Sequence, residues 1–381
     1  MSSAKPSLEL LRSLTDENVL RALMERRRLT RAEIAAVTGI SKPTISDSVR
    51  RLSRAGLLED TGERTTGRGR AGSYYSLAGN GGAALVASIT PSGVTAEAVD
   101  AFGDVVARTA AELDRNAGRD RAAAALARAA GELRARIRGG LRTAVVSAAD
   151  PVDRATGRLV HLPDAPFLVG DLDPVEILSP LVDGPVLVDN DVNWAARAER
   201  GEGRARGVDD FVYLHLGEGL GCAVVNDAEV RRGHHGLAGE IAHLYTPGPD
   251  GTAMPFTRVF AELGLRRAGS TAIDVEALRA AAFGAGEEAG RVRAVLARAV
   301  CGVVAAAVAL ADPRLVVVGG AWGAAPEMTE AIGEECAKAP RGVPVVAARV
   351  ETPELVGARG RAVEGLRELI VAALRPTPPT P

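Results

Sequence analysis

Four short runs in the later part of this chain carry groups able to do chemistry. Asp189-Asn190-Asp191-Val192-Asn193 follows an apolar run and opens a helical pattern. Carboxylates and amides at the C-terminal end of a strand point into the crevice where ligands of α/β domains sit. Residues 216–221 (Leu-Gly-Glu-Gly-Leu-Gly) and 318–323 (Val-Gly-Gly-Ala-Trp-Gly) are Gly-rich turns after strands, which alone are weak signatures of phosphate binding. Gly239-Glu240-Ile241-Ala242-His243 sets a carboxylate and an imidazole three residues apart. Singly, each run reads as well as a plain turn or cap. A different chemistry stands near the N-terminus, where Ser41, Lys42, Thr44, Ser46 and Arg50 share the polar face of a short helix. Hydroxyl and basic groups near a helix N-terminus can reach base edges and phosphates in the major groove of DNA.

The elements around that helix fit a winged helix-turn-helix. Thr15-Asp16-Glu17 gives a cap and an acidic first turn, so a first helix is expected to begin there. Val19, Leu20, Leu23 and Met24 supply its apolar face. Thr30-Arg31-Ala32-Glu33 is a capping box for a second helix, and Gly39 supplies the tight turn. Ser41 caps the third helix, Pro43 sits early in it, and Ile45, Val49 and Leu52 face inward. Residues 57–59 and 74–77 read as two strands around a polar loop, 61–73, that holds Arg64, Arg68 and Arg70. A flexible basic wing suits phosphate contact or arginine insertion into a minor groove. Residues 1–80 hold 14 Lys and Arg against 9 Asp and Glu, a balance of +5, while the whole chain carries −2. The blander alternative is a helical protein-interaction module with a solvated basic face. The combination of helix, tight turn, helix and basic wing favours double-stranded DNA.

The 381 residues suit two or three domains, and 46% apolar content fills a large core. Aromatic residues are only 3%, which argues against stacking on single-stranded nucleic acid. Arginine outnumbers lysine 43 to 3, which reflects coding bias. Cys222, Cys301 and Cys336 have neither metal nor disulfide spacing, so free thiols in a reducing cytoplasm are expected. No signal peptide is read at the start, and no apolar run is read as long enough to span a membrane; residues 300–311 read as a buried helix. The expected organisation is a DNA-binding head (1–78), a linker (79–83), a first α/β lobe (84–188) and a second (189–375). A C-terminal helix should return to the first lobe, ahead of a disordered Pro/Thr tail (376–381). Strands alternate with helices at 119–138, 192–200, 255–267, 275–282, 290–311 and 353–374, with no internal repeat evident in the residues.

Taken in this order, the motifs resemble the repressor, open-reading-frame and kinase (ROK) family. The resemblance spans the chain: the winged head, residues 151–159 (Pro-Val-Asp-Arg-Ala-Thr-Gly-Arg-Leu), the Asn190-Asp191 pair, the Gly-rich loop, the run 231–240 and the late Gly-Gly. It implies a two-lobed, actin-like (ribonuclease H-like) sugar-kinase-type domain with sugar between the lobes. Members are sugar kinases or, when they carry a DNA-binding head, sugar-responsive regulators. By resemblance, Asn190, Asp191, Glu240, His243 and, in ungapped register, Glu262 would contact sugar, with Asp191 at the kinases' general-base position. Asp164 stands where the family's Pro-Asn-Leu turn has asparagine, and Ala149-Asp150 replaces its Pro-Gly.

Other departures concern phosphate and zinc. The family's Asp-x-Gly-Gly-Thr hairpin is Ser88-Ile89-Thr90-Pro91-Ser92 here, and Glu218 replaces the threonine of its Gly-Thr-Gly loop. Pro91 has no N–H to offer, and a carboxylate repels phosphate. The family's zinc cysteines fall on Ala253, Pro255 and Phe260, and one imidazole is no structural zinc site. The expectation is a protein with no cofactor, its ATP and zinc sites lost. It would act as a cytoplasmic repressor, bound to the nucleoid when on DNA, as a homodimer or homotetramer on operator DNA with a sugar or sugar-derivative effector. The alternatives are a sugar kinase with unorthodox phosphate contacts, or a DNA-binding protein whose large domain is only an oligomerisation scaffold.

Overall fold

The computed structural model describes residues 8–66, 71–114, 117–162 and 171–374. Arg68, Arg70, Asp164 and the tail at 376–381 lie outside the described residues.

The head is built as its caps direct. It runs α1 (Leu8–Arg26), β1 (Arg28–Thr30), α2 (Arg31–Thr38), α3 (Lys42–Arg54), β2 (Leu58–Arg64) and β3 (Ser73–Leu77). The capping box closes reciprocally, with Glu33 N donating to Thr30 Oγ1 at 3.2 Å and Thr30 N donating to Glu33 Oε2 at 2.8 Å. Gly39, at φ +70°, ends α2 by donating to the Ala35 carbonyl. Val19, Leu20, Leu23, Ile34, Ile45, Val49 and Leu52 close into one core. The three strands pair antiparallel in the order β1-β3-β2.

Two expectations for the head need correction. Thr15-Asp16-Glu17 does not open α1, which is already helical at Leu8. Leu8 to Leu14 are good helix formers and carry the helix through, while Thr15 Oγ1 bonds back to the Leu11 carbonyl at 2.8 Å. The polar loop is also shorter than read, because β2 continues to Arg64 past an irregularity where Gly62 takes φ +80°.

Two lobes follow. The first contains β4 (Ala83–Thr90), β5 (Gly93–Val99), β6 (Val105–Glu112), α4 (Arg119–Arg136), β7 (Leu141–Ala148), α5 (Pro174–Leu178) and β8 (Val186–Asn190). Helix α6 (Asp191–Glu202) crosses to the second lobe. That lobe holds β9 (Phe211–Leu216), β10 (Leu220–Asn226), β11 (Glu229–Val230), β12 (Tyr245–Pro247), β13 (Ala253–Pro255), α7 (Phe256–Glu262) and α8 (Val275–Phe283). It continues with α9 (Glu287–Ala311), β14 (Val316–Gly319), α10 (Pro326–Cys336) and β15 (Val345–Ala347), and α11 (Pro353–Ala372) ends the fold.

The two five-stranded sheets have one topology. Their orders are β6-β5-β4-β7-β8 and β11-β10-β9-β14-β15, each an antiparallel three-strand meander extended by two parallel strands. The repeat that the residues do not display is therefore present in strand pairing.

Helix α11 leaves the second lobe and packs on β4, β7 and α6. It also joins the head to the body. The core of α1–α3 runs on without a break into Ala84, Val86, Val99, Ala101, Ala358, Ala362 and Leu366. Arg27 of the head pairs with Asp104 (Nη2–Oδ1, 2.8 Å) and lies over the Phe102 ring. The linker is thus a short span across a packed interface.

Helix α9 corrects the expectation that no run is long enough to cross a membrane. Its 25 residues are long and apolar enough to do so. Leu296, Val300, Val303 and Val304 instead bury one face in the second-lobe core. Residues 245–255, where the cysteine positions fall, form the β12–β13 hairpin, and Phe260 is a core residue.

Candidate functional site

The surface expected to face DNA is the outer side of α3. Ser41, Lys42, Thr44 and Arg50 are exposed and Ser46 is half-exposed, all on one face of the helix. Ser41 Oγ accepts from Thr44 N at 3.4 Å and lies 2.8 Å from Thr44 Oγ1, so these two hydroxyls also cap the helix. Arg50 pairs with Asp47 on the same face, and Arg64, at the start of the wing, pairs with Asp60 at 2.9 Å. Asp16, which the sequence suggested as part of an acidic first turn, is buried against α3. Its Oδ1 accepts from Ser48 Oγ and from Arg51 Nη2 (2.6 Å), and its Oδ2 from Arg51 Nε (3.2 Å). That fork fixes how far α3 stands out from α1.

A cavity of about 370 Å³ opens between the lobes, within the range of small-molecule sites. Equivalent edges of the two sheets frame it: the β4–β5 turn at Thr90 to Ser92 and the β9–β10 turn at Gly217 to Gly221. Ala149 to Pro151, the start of α6 and residues 236–243 complete the wall. Glycine is needed in that last stretch. Gly239 takes φ +100°, and a Cβ there would stand 1.8 Å from the Cys222 carbonyl oxygen.

Of the sequence-derived sugar contacts, Asn190, Asp191, Glu240 and His243 line this cavity together. Asn190 is the most occupied. Its Oδ1 accepts from Val192 N at 3.0 Å to cap α6, and its Nδ2 donates to the carbonyls of Ala148 (3.3 Å) and Asp150 (3.2 Å). It therefore sets the geometry of the loop after β7. Asp191 is enclosed, and burial, with Glu354, Asp150 and Glu240 nearby, pushes its carboxyl up to about 7. Glu240 is reached by solvent through the cleft. The protein around it and the neighbouring Asp150 still raise it to about 7.

Glu262 does not belong to this group. It pairs with Arg258 at 3.1 Å on an exposed face, outside the cavity lining. Helix α7 buries Phe256, Val259 and Phe260 at i, i+3 and i+4, which turns residue 262 away. The ungapped register across the β12–β13 hairpin therefore fails.

The Gly-rich turns are occupied by protein groups. Glu218 bonds Arg267 (2.9 Å), and its carbonyl accepts from Ile273 N at 2.9 Å. The turn after β14 folds back on β9, with Trp322 fully buried and donating to the Gly217 carbonyl at 2.9 Å. A Cβ on Gly320, at φ +88°, would lie 2.4 Å from the Leu216 carbonyl oxygen. Thr90, Pro91 and Ser92 reach the cavity rim, where Thr90 Oγ1 lies 3.0 Å from Ser92 Oγ.

Of three further groups on the wall, sequence reasoning did not single out His215, and it named Asp150 and Asn193 without assigning them a contact. Asp150, 3% exposed, is raised to about 6 by burial, against an opposing effect of His161. His215 is held down near 4 by burial and so is a neutral imidazole. Asn193, one turn into α6, donates to Asp189 Oδ1 at 2.8 Å, and Asp189 in turn meets Arg232 at 3.3 Å. The signal for His215 was its place at the inward end of a strand. Asp150 gave only a departure from a motif. No group of three His, Cys, Asp or Glu suited to a metal ion occurs among the described residues.

A family model described as the ROK family matches residues 97–361, and a winged helix-turn-helix DNA-binding model matches residues 12–59. The chain is similar to a glucokinase of Halalkalibacterium halodurans (41% identity over 69 residues, 18% of this chain and 21% of that protein). It is also similar to the xylose repressor of Caldicellulosiruptor bescii (41% over 59 residues, 16% and 15%). These matches span about a fifth or less of the relatives' lengths. Among solved structures, it is similar to a ROK family transcriptional regulator, a homologue of the E. coli Mlc protein (TM-score 0.64, 20% identity, 95% of this chain and 99% of that one). A Streptomyces griseus ROK glucokinase in complex with glucose and AMPPNP shares the body fold (TM-score 0.56, 24% identity, 74% and 100%). At these identities the likeness is one of fold. With most of its length matched, the chain belongs to the ROK family, and it carries a winged helix-turn-helix DNA-binding head.

Proposed function

We propose that this protein is a sugar-responsive transcriptional repressor whose ROK domain binds its effector without phosphorylating it. The observation that carries the reading is the shared helix pair. Helices α6 and α11 pack so closely that a Cβ on Gly357 would lie 2.0 Å from the Trp194 carbonyl oxygen. The N-terminus of α6 forms part of the cavity wall, and α11 carries the head. Lobe closure on a ligand would therefore move the surface on which the head rests. A ligand changes DNA affinity only by preferring one of the two arrangements. Operator binding by two heads of a homodimer or homotetramer follows from the need to meet two half-sites.

The phosphate loops support the non-catalytic part of the reading. Glu218 and its partner Arg267 stand in the second loop, and Pro91 in the first. Phosphoryl transfer depends on positioning and on neutralising phosphate charge. The loss of the family's zinc and ATP sites is part of the same proposal. A kinase reading is favoured by one observation: Asp191, near 7, has a value suited to a general base.

Fluorescence anisotropy on DNA fragments selected by the protein from a random pool, repeated with a panel of hexoses, pentoses and amino sugars, tests the reading. A sugar that shifts DNA affinity, with no ADP released from ATP in its presence, is the expected result. ADP release would establish the kinase. Specific DNA binding that no sugar alters would favour the scaffold.

A further inference from the structure

The charge balance of the cavity wall is one-sided. Among the described residues its lining includes the carboxylates Asp150, Asp191, Glu218 and Glu240, and no lysine or arginine. Glu218 is neutralised by Arg267. Asp150 is 3% exposed, and among the described residues no donor or cation lies within hydrogen-bond or ion-pair distance of its carboxylate. Its charge raises both Asp191 and Glu240. A buried carboxylate without a partner is costly unless something supplied from outside compensates it.

The shape of the cavity restricts what that something is. Some 370 Å³ is far more than an ion needs, and no three acidic or imidazole groups are disposed as metal ligands among the described residues. Hydroxyl-bonding groups surround the acids: Asn193, Thr90, Ser92, and the neutral His215. A neutral polyol would satisfy hydrogen bonds here but leave the buried Asp150 carboxylate uncompensated, with Asp191 and Glu240 nearby. A polyol with one positive charge would satisfy both.

We propose that the cavity selects a sugar bearing a free ammonium group, an amino sugar, with Asp150 as the residue that reads the charge. The inference rests on the reading of the cavity as a sugar site. Hydrogen bonds to charged groups are roughly twice as strong as those between neutral ones, and a preference of about tenfold, equivalent to about 1.4 kcal/mol, is expected.

Isothermal titration calorimetry on the full chain tests it with D-glucosamine, D-galactosamine and D-mannosamine, each beside its parent hexose and its N-acetyl form. The expected result is at least about tenfold tighter binding of one ammonium form than of its two neutral counterparts. Asp150→Asn and Asp150→Gly should remove that preference while retaining or improving binding of the parent hexose. A neutral form that binds as tightly as the amino form, or a preference that survives both substitutions in folded protein, overturns the role of Asp150 and leaves the sugar site standing. Failure of every sugar to bind, with folding verified by circular dichroism, overturns the sugar site itself.

Discussion

Arg367, on α11, donates from Nη2 to the carbonyl of Met24 in the DNA-binding head at 3.1 Å, and from Nε to the Ala101 carbonyl beside the first sheet at 2.7 Å. One guanidinium thus holds the last turn of α1, the first sheet and the returning helix together. Met24 lies on the helix that, through Asp16 and Arg51, positions the recognition helix. Arg367→Ala should lower stability by about 1–3 kcal/mol, as for hydrogen bonds to a charged donor. It should also weaken the effect of any effector on DNA affinity more than it changes effector-free affinity. Thermal unfolding and anisotropy titrations measure the two effects, and an undiminished effector response would place the coupling elsewhere.

The face of α3 gives a second prediction. Lys42→Ala, or Arg68→Ala with Arg70→Ala in the wing, should weaken DNA binding across sequences. Each phosphate contact removed should reduce the slope of log K against log salt by about 1. An unchanged slope would mean that the side chain concerned does not meet phosphate.

The cavity acids predict a pH dependence of stability. Asp150, near 6, and Asp191 and Glu240, near 7, hold their protons more tightly folded than unfolded. They favour the folded state at low pH, and that contribution is lost as pH rises from about 4 to about 7. Asp191→Asn removes one ionisation facing Glu354, Asp150 and Glu240. Its Tm should exceed that of the parent by about 2 °C or more at pH 8 and match it near pH 4. The same substitution should abolish sugar binding and leave effector-free DNA affinity near that of the parent. A parent-like Tm at pH 8 would mean that Asp191 is solvated in the folded protein.

Glu199 offers a test of the helix pair. Its carboxylate is fully buried and accepts from Arg204 N, Arg349 N and Val350 N, each at 2.7 Å, tying α6 to the approach to α11. Glu199→Ala leaves three part-buried N–H groups without their acceptor, at about 1–3 kcal/mol each. A loss of at least about 3 kcal/mol is expected in denaturant unfolding, against almost none for exposed Glu202→Ala.

Much of the head was legible because its signals are local. The capping box at Thr30, the turn at Gly39 and the cap at Ser41 each act within four residues, and the structure has all three. The same locality misled at Thr15, where a cap-like triplet lies inside a longer helix. Strand β6 escaped notice because an edge strand alternating exposed and half-buried residues, Val-Val-Ala-Arg-Thr-Ala-Ala-Glu, has little apolar contrast.

By itself, the sequence determined the winged head, the α/β alternation and the four cavity residues Asn190, Asp191, Glu240 and His243. The head and the alternation rest on short-range patterns, whereas the four cavity residues were picked out only by the order of their motifs along the chain. Only the tertiary structure decided that the two sheets share a topology, that Glu262 faces away, and that Asp150 and His215 join the cavity wall. It alone shows the head and body sharing one core through α11. These facts depend on pairing between residues far apart in the chain: β4 with β7, α6 with α11, Arg367 with Met24. Such contacts arise when apolar faces close on one another, and no local propensity records which distant partner a face will meet.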